Sequence, residues 1–304
     1  MHVILHVGAH RTATTTFQTH LAHHRPLLHD AKCGYWGPKI TRGGLFGQAM
    51  GARHTPFPGE MPRMAKRVAM RVEQARQRGI TRLIVSDENM LGSLRNCLED
   101  TALYRDAGQR LATLAGGFGK HRVTIAIGLR AYDDWWTSAL AFRLLRAGPL
   151  PKDRLREYLV TQPRRWRHVV EDVARAVPSA HIAVWTYEAL GAHPDRVLSE
   201  LTDIATPAPD ARTLNARPDV PALRDYLRAC DVDADTYLTD DGRFAPFTED
   251  ERAALQAQYD EDLHWLRNGA GGFADDLDAP STQIEARTED GRGSRDDGED
   301  RRLA

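Results

Sequence analysis

Three stretches of this chain carry residue types that do chemistry. The first is His6-Val7-Gly8-Ala9-His10-Arg11-Thr12-Ala13-Thr14-Thr15-Thr16, which follows the apolar Val3-Ile4-Leu5 directly. A turn of small residues between a strand and a helix points backbone N–H groups at one spot. Arg11 adds a fixed charge with a planar fork of donors, and the Thr12, Thr14 and Thr15 hydroxyls add further donors, so the turn suits an anion. The second stretch runs from Arg130 through Ala131-Tyr132-Asp133-Asp134-Trp135-Trp136-Thr137 to Ser138. A fork donor and a hydroxyl on one rigid element suit a second phosphate, away from the first loop. The third is Ser86-Asp87-Glu88-Asn89, where two carboxylates end an apolar run. One of them can serve as a general base for an acceptor hydroxyl, or as a magnesium-holding acid.

These residues need a scaffold, and hydrophobic periodicity supplies its outline. Val3 to Val7, Thr81 to Ser86, His121 to Leu129 and Ala180 to Trp185 read as strands, and Gly34 to Pro38 as a short strand or turn. The His121–Leu129 run is apolar enough for the middle of a parallel sheet. Helices are expected over Thr14–His29, Glu60–Arg78, Thr101–Leu114, Tyr132–Arg146, Trp166–Ala176 and Thr248–Leu266, the last with Thr248 as N-cap. Residues from about Thr41 to Gly59 are rich in Gly and Pro and read as a loop. The alternation of strand and helix predicts an α/β fold with a central parallel sheet flanked by helices. Ligands of such sheets sit at the C-terminal ends of the strands, and all three stretches lie there.

Bulk composition narrows the function. The chain has 304 residues and a formal net charge of −1, against the strong basicity of a general nucleic-acid binder. Its three cysteines, Cys33, Cys97 and Cys230, are scattered and form no CxxC, which argues against a disulfide framework or zinc site and fits a reducing cytoplasm. No apolar run reaches membrane-spanning length, and the first one is too short for a signal peptide. Residues 1–274 read as one domain. From Asp275 to the end the chain is Asp, Glu, Arg, Gly and Ser with few apolar residues, which reads as a charged, disordered tail.

Against the nucleoside-triphosphate motif GxxxxGK[ST], the first loop lacks both the second glycine and the lysine. His10-Arg11-Thr12-Ala13-Thr14-Thr15 instead resembles the PKxGTT-type loop of sulfotransferases that use 3'-phosphoadenosine 5'-phosphosulfate (PAPS). His6-Val7-Gly8, Phe17-Gln18 and the Arg130 to Ser138 spacing add to the likeness, which extends over roughly the first 270 residues. It implies a P-loop-like three-layer fold in which His10, Arg11, Thr12, Ala13, Thr14 and Thr15 hold the 5'-phosphosulfate and Arg130 with Ser138 holds the 3'-phosphate. Arg11 stabilises the leaving phosphate, and Glu88, or else Asp87, takes the acceptor proton, with His10 as a smaller candidate. Arginine stands where the family has lysine, and alanine, which resists a positive φ, where it often has glycine. Acceptors in the family include sugars of polysaccharides and lipid head groups, and no metal is required.

Two alternatives use the same residues. A small-molecule kinase would hold magnesium on Asp87 and bind ATP without regard to a 3'-phosphate. A non-catalytic relative would bind nucleotide without transferring anything. Smaller signals read as structure. His20, His23 and His24 fall at metal-compatible spacing with no carboxylate or cysteine beside them, which suits a solvated face. Trp135 and Trp136 suit the core better than an adenine stack. Arg67, Arg71 and Arg78 suit water better than an acidic acceptor. Trp185-Thr186-Tyr187-Glu188 resembles a structural landmark of the family, and Gly242-Arg243-Phe244 only loosely matches a basic nucleotide contact. The Thr41–Gly59 loop and the helical C-terminal part are expected to shape the acceptor pocket.

Overall fold

Val3-Ile4-Leu5, Leu83-Ile84-Val85 and Ile125-Ala126-Ile127 are all inaccessible to solvent. They form neighbouring strands, which must therefore be covered on both faces. The computed structural model describes residues 1–51, 59–147, 154–209 and 244–279, with residues 224, 225, 228, 229 and 238 between the last two. Its sheet contains β1 (His2–His6), β2 (Cys33–Trp36), β3 (Arg82–Ser86), β4 (Arg122–Leu129), β5 (His181–Thr186) and β6 (Asp275–Asp276). The strand order is β2-β3-β1-β4-β5-β6 and every pairing is parallel.

Period-two alternation sorts the side chains into two cores, which gives three layers. Val3, Leu5, Val85, Val123 and Ile125 pack with Met64, Leu111, Trp135 and Val173 on one face. Ile4, Ile84, Ala126 and Ala183 pack with Phe17, Leu21, Leu28 and Leu198 on the other. The expected α/β architecture is the one observed. No helix among the described residues is long and apolar enough to cross a membrane.

Several boundaries differ from the sequence reading, each for a local reason. The first helix is two, Thr14–His23 and Arg25–Asp30, because Pro26 opens a new first turn. The helix expected over Thr101–Leu114 starts later, as Ala107–Gly116, and a further helix, Leu94–Glu99, precedes it. Thr101 and Tyr104 between them adopt positive φ, which no helix accommodates. Thr41–Leu45 is a helical turn within the expected loop, and residues 52–58 lie outside the described residues. The Glu249–Arg267 helix is capped as expected: Glu251 N–H donates to Thr248 Oγ1, and Thr248 N–H to the Glu251 carboxylate.

The expected tail begins inside the fold. Asp275–Asp276 pairs with Ala183 and Val184, Leu277 N–H donates to Val184 O, and the Asp278 carboxylate accepts from Thr186 N–H at 3.0 Å. Burial pushes the Asp278 carboxyl up to about 6. Residues 280–304 lie outside the described residues.

Candidate functional site

Chain direction across the sheet reverses at β1. β2 and β3 lie on one side of it, and β4, β5 and β6 on the other. The crevice at the C-terminal ends of β1 and β4 is the switch point where such sheets bind ligands. The loop after β1 enters that crevice. Val7 N–H donates to Ala126 O and Ala9 N–H to Gly128 O, each at 3.0 Å, so β4 carries the β1 ladder into the loop. Gly8 has φ +102°, and a Cβ there would stand 3.1 Å from Glu88 Cβ, so the position demands glycine on both counts.

Arg11 and Ala13 both adopt the left-handed conformation, with φ 64° and 63°. For residues other than glycine this costs about 1 kcal/mol or more each. The expectation that alanine resists a positive φ is overridden by bonds that hold the loop. Tyr104 OH accepts from His10 N–H, Trp135 Nε1–H donates to His10 O at 2.7 Å, and Arg130 Nη1 donates to Arg11 O at 2.9 Å. Thr12 and Thr14 also hold the loop. Both are buried and donate their hydroxyl protons to Ala9 O, at 2.7 and 2.9 Å. Of the threonines expected to face an anion, only Thr15 is exposed. Ala13 provides no side-chain cap and the first turn holds no acidic residue, so the opening N–H groups of the Thr14–His23 helix have no intrahelical acceptor and form its positive end.

Arg11, Arg130 and Ser138 come together on the β4 side of the crevice. Arg11 Nε donates to Ser138 Oγ at 2.7 Å, and its guanidinium lies over Phe142. Arg130 is buried, stacks 4.2 Å over the Tyr187 ring and pairs with Asp134 at 3.3 Å. Its Nε is fully buried with no hydrogen-bond partner. The sequence reading placed the Arg130–Ser138 pair away from the first loop; the structure makes the two one continuous cationic cluster. Trp135 and Trp136 are core residues, as expected, and Trp166 Nε1–H donates to Arg130 O. Glu188 accepts from Ala131 N–H and from Tyr259 OH, bracing the turn that carries Arg130.

The β3 side is built differently. Asp87 is fully buried and saturated. It accepts from Arg42 Nη2 at 2.8 Å and Nε at 3.0 Å, from Thr41 Oγ1, and from Asn89 N–H as the cap of the next turn. Both oxygens of Asp87, the second choice for base, are thus engaged by the wall itself. Glu88 is partly exposed, taking Arg42 Nη2 on one oxygen at 2.8 Å and Gln18 Nε2 on the other at 3.2 Å. Burial pushes its carboxyl up, but its own backbone N–H, His10 and Arg42 outweigh this and hold it below the ordinary value. His10 Nδ1 meets Tyr104 OH at 2.9 Å, and Nε2 meets the Asn89 amide at 3.2 Å. With its carbonyl turned to Arg42, that amide accepts from Nη2 and Nε and donates to His10 Nε2. Burial holds His10 below the ordinary imidazole range. Beneath lies His6, which burial pushes down to about 4, with Nδ1 2.7 Å from Ser86 Oγ.

Arg42, Tyr104, Asn89 and Gln18 were not singled out as site residues from the sequence. Gln18 and Asn89 lie within quoted stretches but were given no role there, Arg42 stands at the start of a loop expected to border the site, and Tyr104 carries no local signal. His20, His23 and His24 form a contiguous ring cluster whose inner member, His20, bonds Thr206 Oγ1. The described residues contain no group of three or more His, Cys, Asp or Glu side chains arranged to hold a metal. Cys33 and Cys97 are buried free thiols. Cys230 and Arg243 lie outside the described residues. Arg71 and Arg78 are exposed, and Arg67 pairs with Glu60. Fold and site thus define a parallel α/β protein whose switch-point crevice is lined by three arginines and by Asp134, Asp87 and Glu88. No protein-family model matches the chain, and neither the curated proteins nor the solved structures include a match.

Proposed function

We propose that the protein is a PAPS-dependent sulfotransferase, moving a sulfuryl group to an acceptor hydroxyl. One observation carries the reading: a buried arginine at the switch point keeps a guanidinium N–H unpaired beside a second arginine and a serine. Two guanidinium groups held close together repel each other, and an anion at their remaining N–H groups offsets that cost. Arg130 and Ser138 would hold the 3'-phosphate. Arg11 and the N–H groups of the opening helical turn would hold the 5'-end and stabilise charge there. The donor supplies a sulfuryl group already joined to a phosphate leaving group. Glu88, on the opposite wall and held by Gln18, would take the acceptor's proton.

The kinase alternative loses support, because Asp87, its magnesium ligand, is saturated by Arg42, Thr41 and Asn89. Calorimetric titration with adenosine 3',5'-bisphosphate, beside ATP with and without Mg²⁺, tests the reading. Metal-independent binding of the bisphosphate, weakened in Arg130→Ala, supports it. Preference for Mg-ATP would return the kinase, and bisphosphate binding with no transfer from PAPS to any acceptor would leave a non-catalytic relative.

A further inference from the structure

The reading above gives Arg42 no part in the reaction, yet its guanidinium bonds both carboxylates of the β3 wall. Its Nε and Nη2 grip Asp87, and the same Nη2 reaches Glu88 Oε1 at 2.8 Å. Asp87 is wholly buried and fixed from three further sides: by Thr41 Oγ1, by Asn89 N–H and by its place at the end of β3. The guanidinium is thus anchored at its inner edge. Among the described residues nothing bonds its Nη1, and the side chain is 45% exposed. Arg42 sits on the Thr41–Leu45 turn, just before Gly43 and Gly44, around which a Cβ would meet nothing within 4 Å.

The geometry points to Arg42 as a positioning residue for the reaction: anchored by Asp87, it fixes the Glu88 carboxylate against the crevice and leaves Nη1 as a donor for the incoming acceptor. The inference rests on Glu88 as the proton-accepting group. Two carboxylates at adjacent positions repel each other, and one cation shared between them lets both stay ionised in a half-buried site. Acceptors offering a hydroxyl next to a second oxygen, such as vicinal diols of sugars, fit a carboxylate and an N–H donor side by side.

The charged and titratable groups around Glu88 are Arg42 and Asp87, His10 from the first loop, and His6 from β1; Tyr35 and Tyr104 feel its charge. The test follows the Glu88 carboxyl carbon by NMR in protein labelled with 13C at the glutamate side-chain carboxyls, with Glu88→Gln assigning the signal. In Arg42→Lys the titration midpoint is expected to rise by about one pH unit or more. A midpoint that stays in place, in a variant with native near-ultraviolet dichroism, overturns the inference. If Arg42→Lys does not fold, the guanidinium protons of Arg42 decide instead. They are expected to exchange about tenfold faster in Glu88→Gln than in the wild type, and an unchanged rate overturns the inference. Adenosine 3',5'-bisphosphate binding is measured on the same wild-type samples. Its failure beside a raised midpoint would remove the sulfotransferase reading and leave the clamp standing.

Discussion

The two walls of the crevice solve opposite electrostatic problems. On the β4 wall, Arg11 donates to Ser138, Arg130 donates to Arg11 O and pairs with Asp134, and one buried N–H of Arg130 is left unpaired. On the β3 wall, Arg42 is outnumbered by Asp87 and Glu88, and Asp87 is saturated. The first wall keeps one buried donor without an acceptor. The second is already neutralised to within one negative charge, and its one partly exposed carboxylate is Glu88. A protein that holds an anion on one side and takes a proton on the other needs this asymmetry, since equal walls would bind the ligand without directing it.

The sharpest way to break the comparison is Arg130→Ala. It is expected to weaken adenosine 3',5'-bisphosphate by over about a hundredfold in calorimetry, through loss of a buried charge-assisted pair of donors. A change below about threefold would show that the β4 wall needs no anion. Next is the pH dependence of the β3 wall. His6 sits at about 4 when folded against an ordinary 6.5, so the unfolded chain binds the extra proton between those values. Its contribution is therefore complete above pH 6.5 and is lost as pH falls toward 4, by up to about 3 kcal/mol. Urea unfolding of the wild type should lose stability across that window more steeply than His6→Gln.

Asp87→Asn should cost about 2 kcal/mol in urea unfolding, less than a fully buried pair because Arg42 is half exposed. The same variant should leave bisphosphate affinity within about twofold if the walls act separately. Ser138→Ala is expected to weaken the bisphosphate about tenfold, the value of one hydrogen bond to a charged group. Smallest is Thr14→Ala. It should cost about 1 kcal/mol of stability with little change in affinity, because the hydroxyl serves Ala9 O and not the ligand. A large affinity loss in Thr14→Ala would reverse that assignment.

How much was legible followed from how local each feature is. The His121–Leu129 strand and the Trp166–Ala176 helix stood out because their apolar periods are long and unbroken. β6 was invisible, since two aspartates pair through their backbones alone and carry no apolar pattern. The break before Arg25 was signalled by Pro26, whereas the positive φ of Tyr104 has no sequence mark. In the site, Arg11, Arg130 and Glu88 were found because each lies in the turn after a strand, and Ser138 because of its spacing from Arg130. Arg42 and Tyr104 were missed because they reach the crevice from turns distant in sequence, and only the strand order brings them there. The inward turn of Thr12 and Thr14 follows from the left-handed backbone at Arg11 and Ala13, which residue types alone do not disclose.

The strand order also sets a timetable for synthesis. β1 is made before either of its neighbours, and its partners β3 and β4 follow about 80 and 120 residues later. Among the described residues, the outer edge of β5 is covered only by Asp275, Asp276 and Leu277, about 90 residues further along the chain. A nascent chain paused before that point would carry the whole crevice and a bare strand edge together, a surface on which chaperones or a second nascent chain would act first.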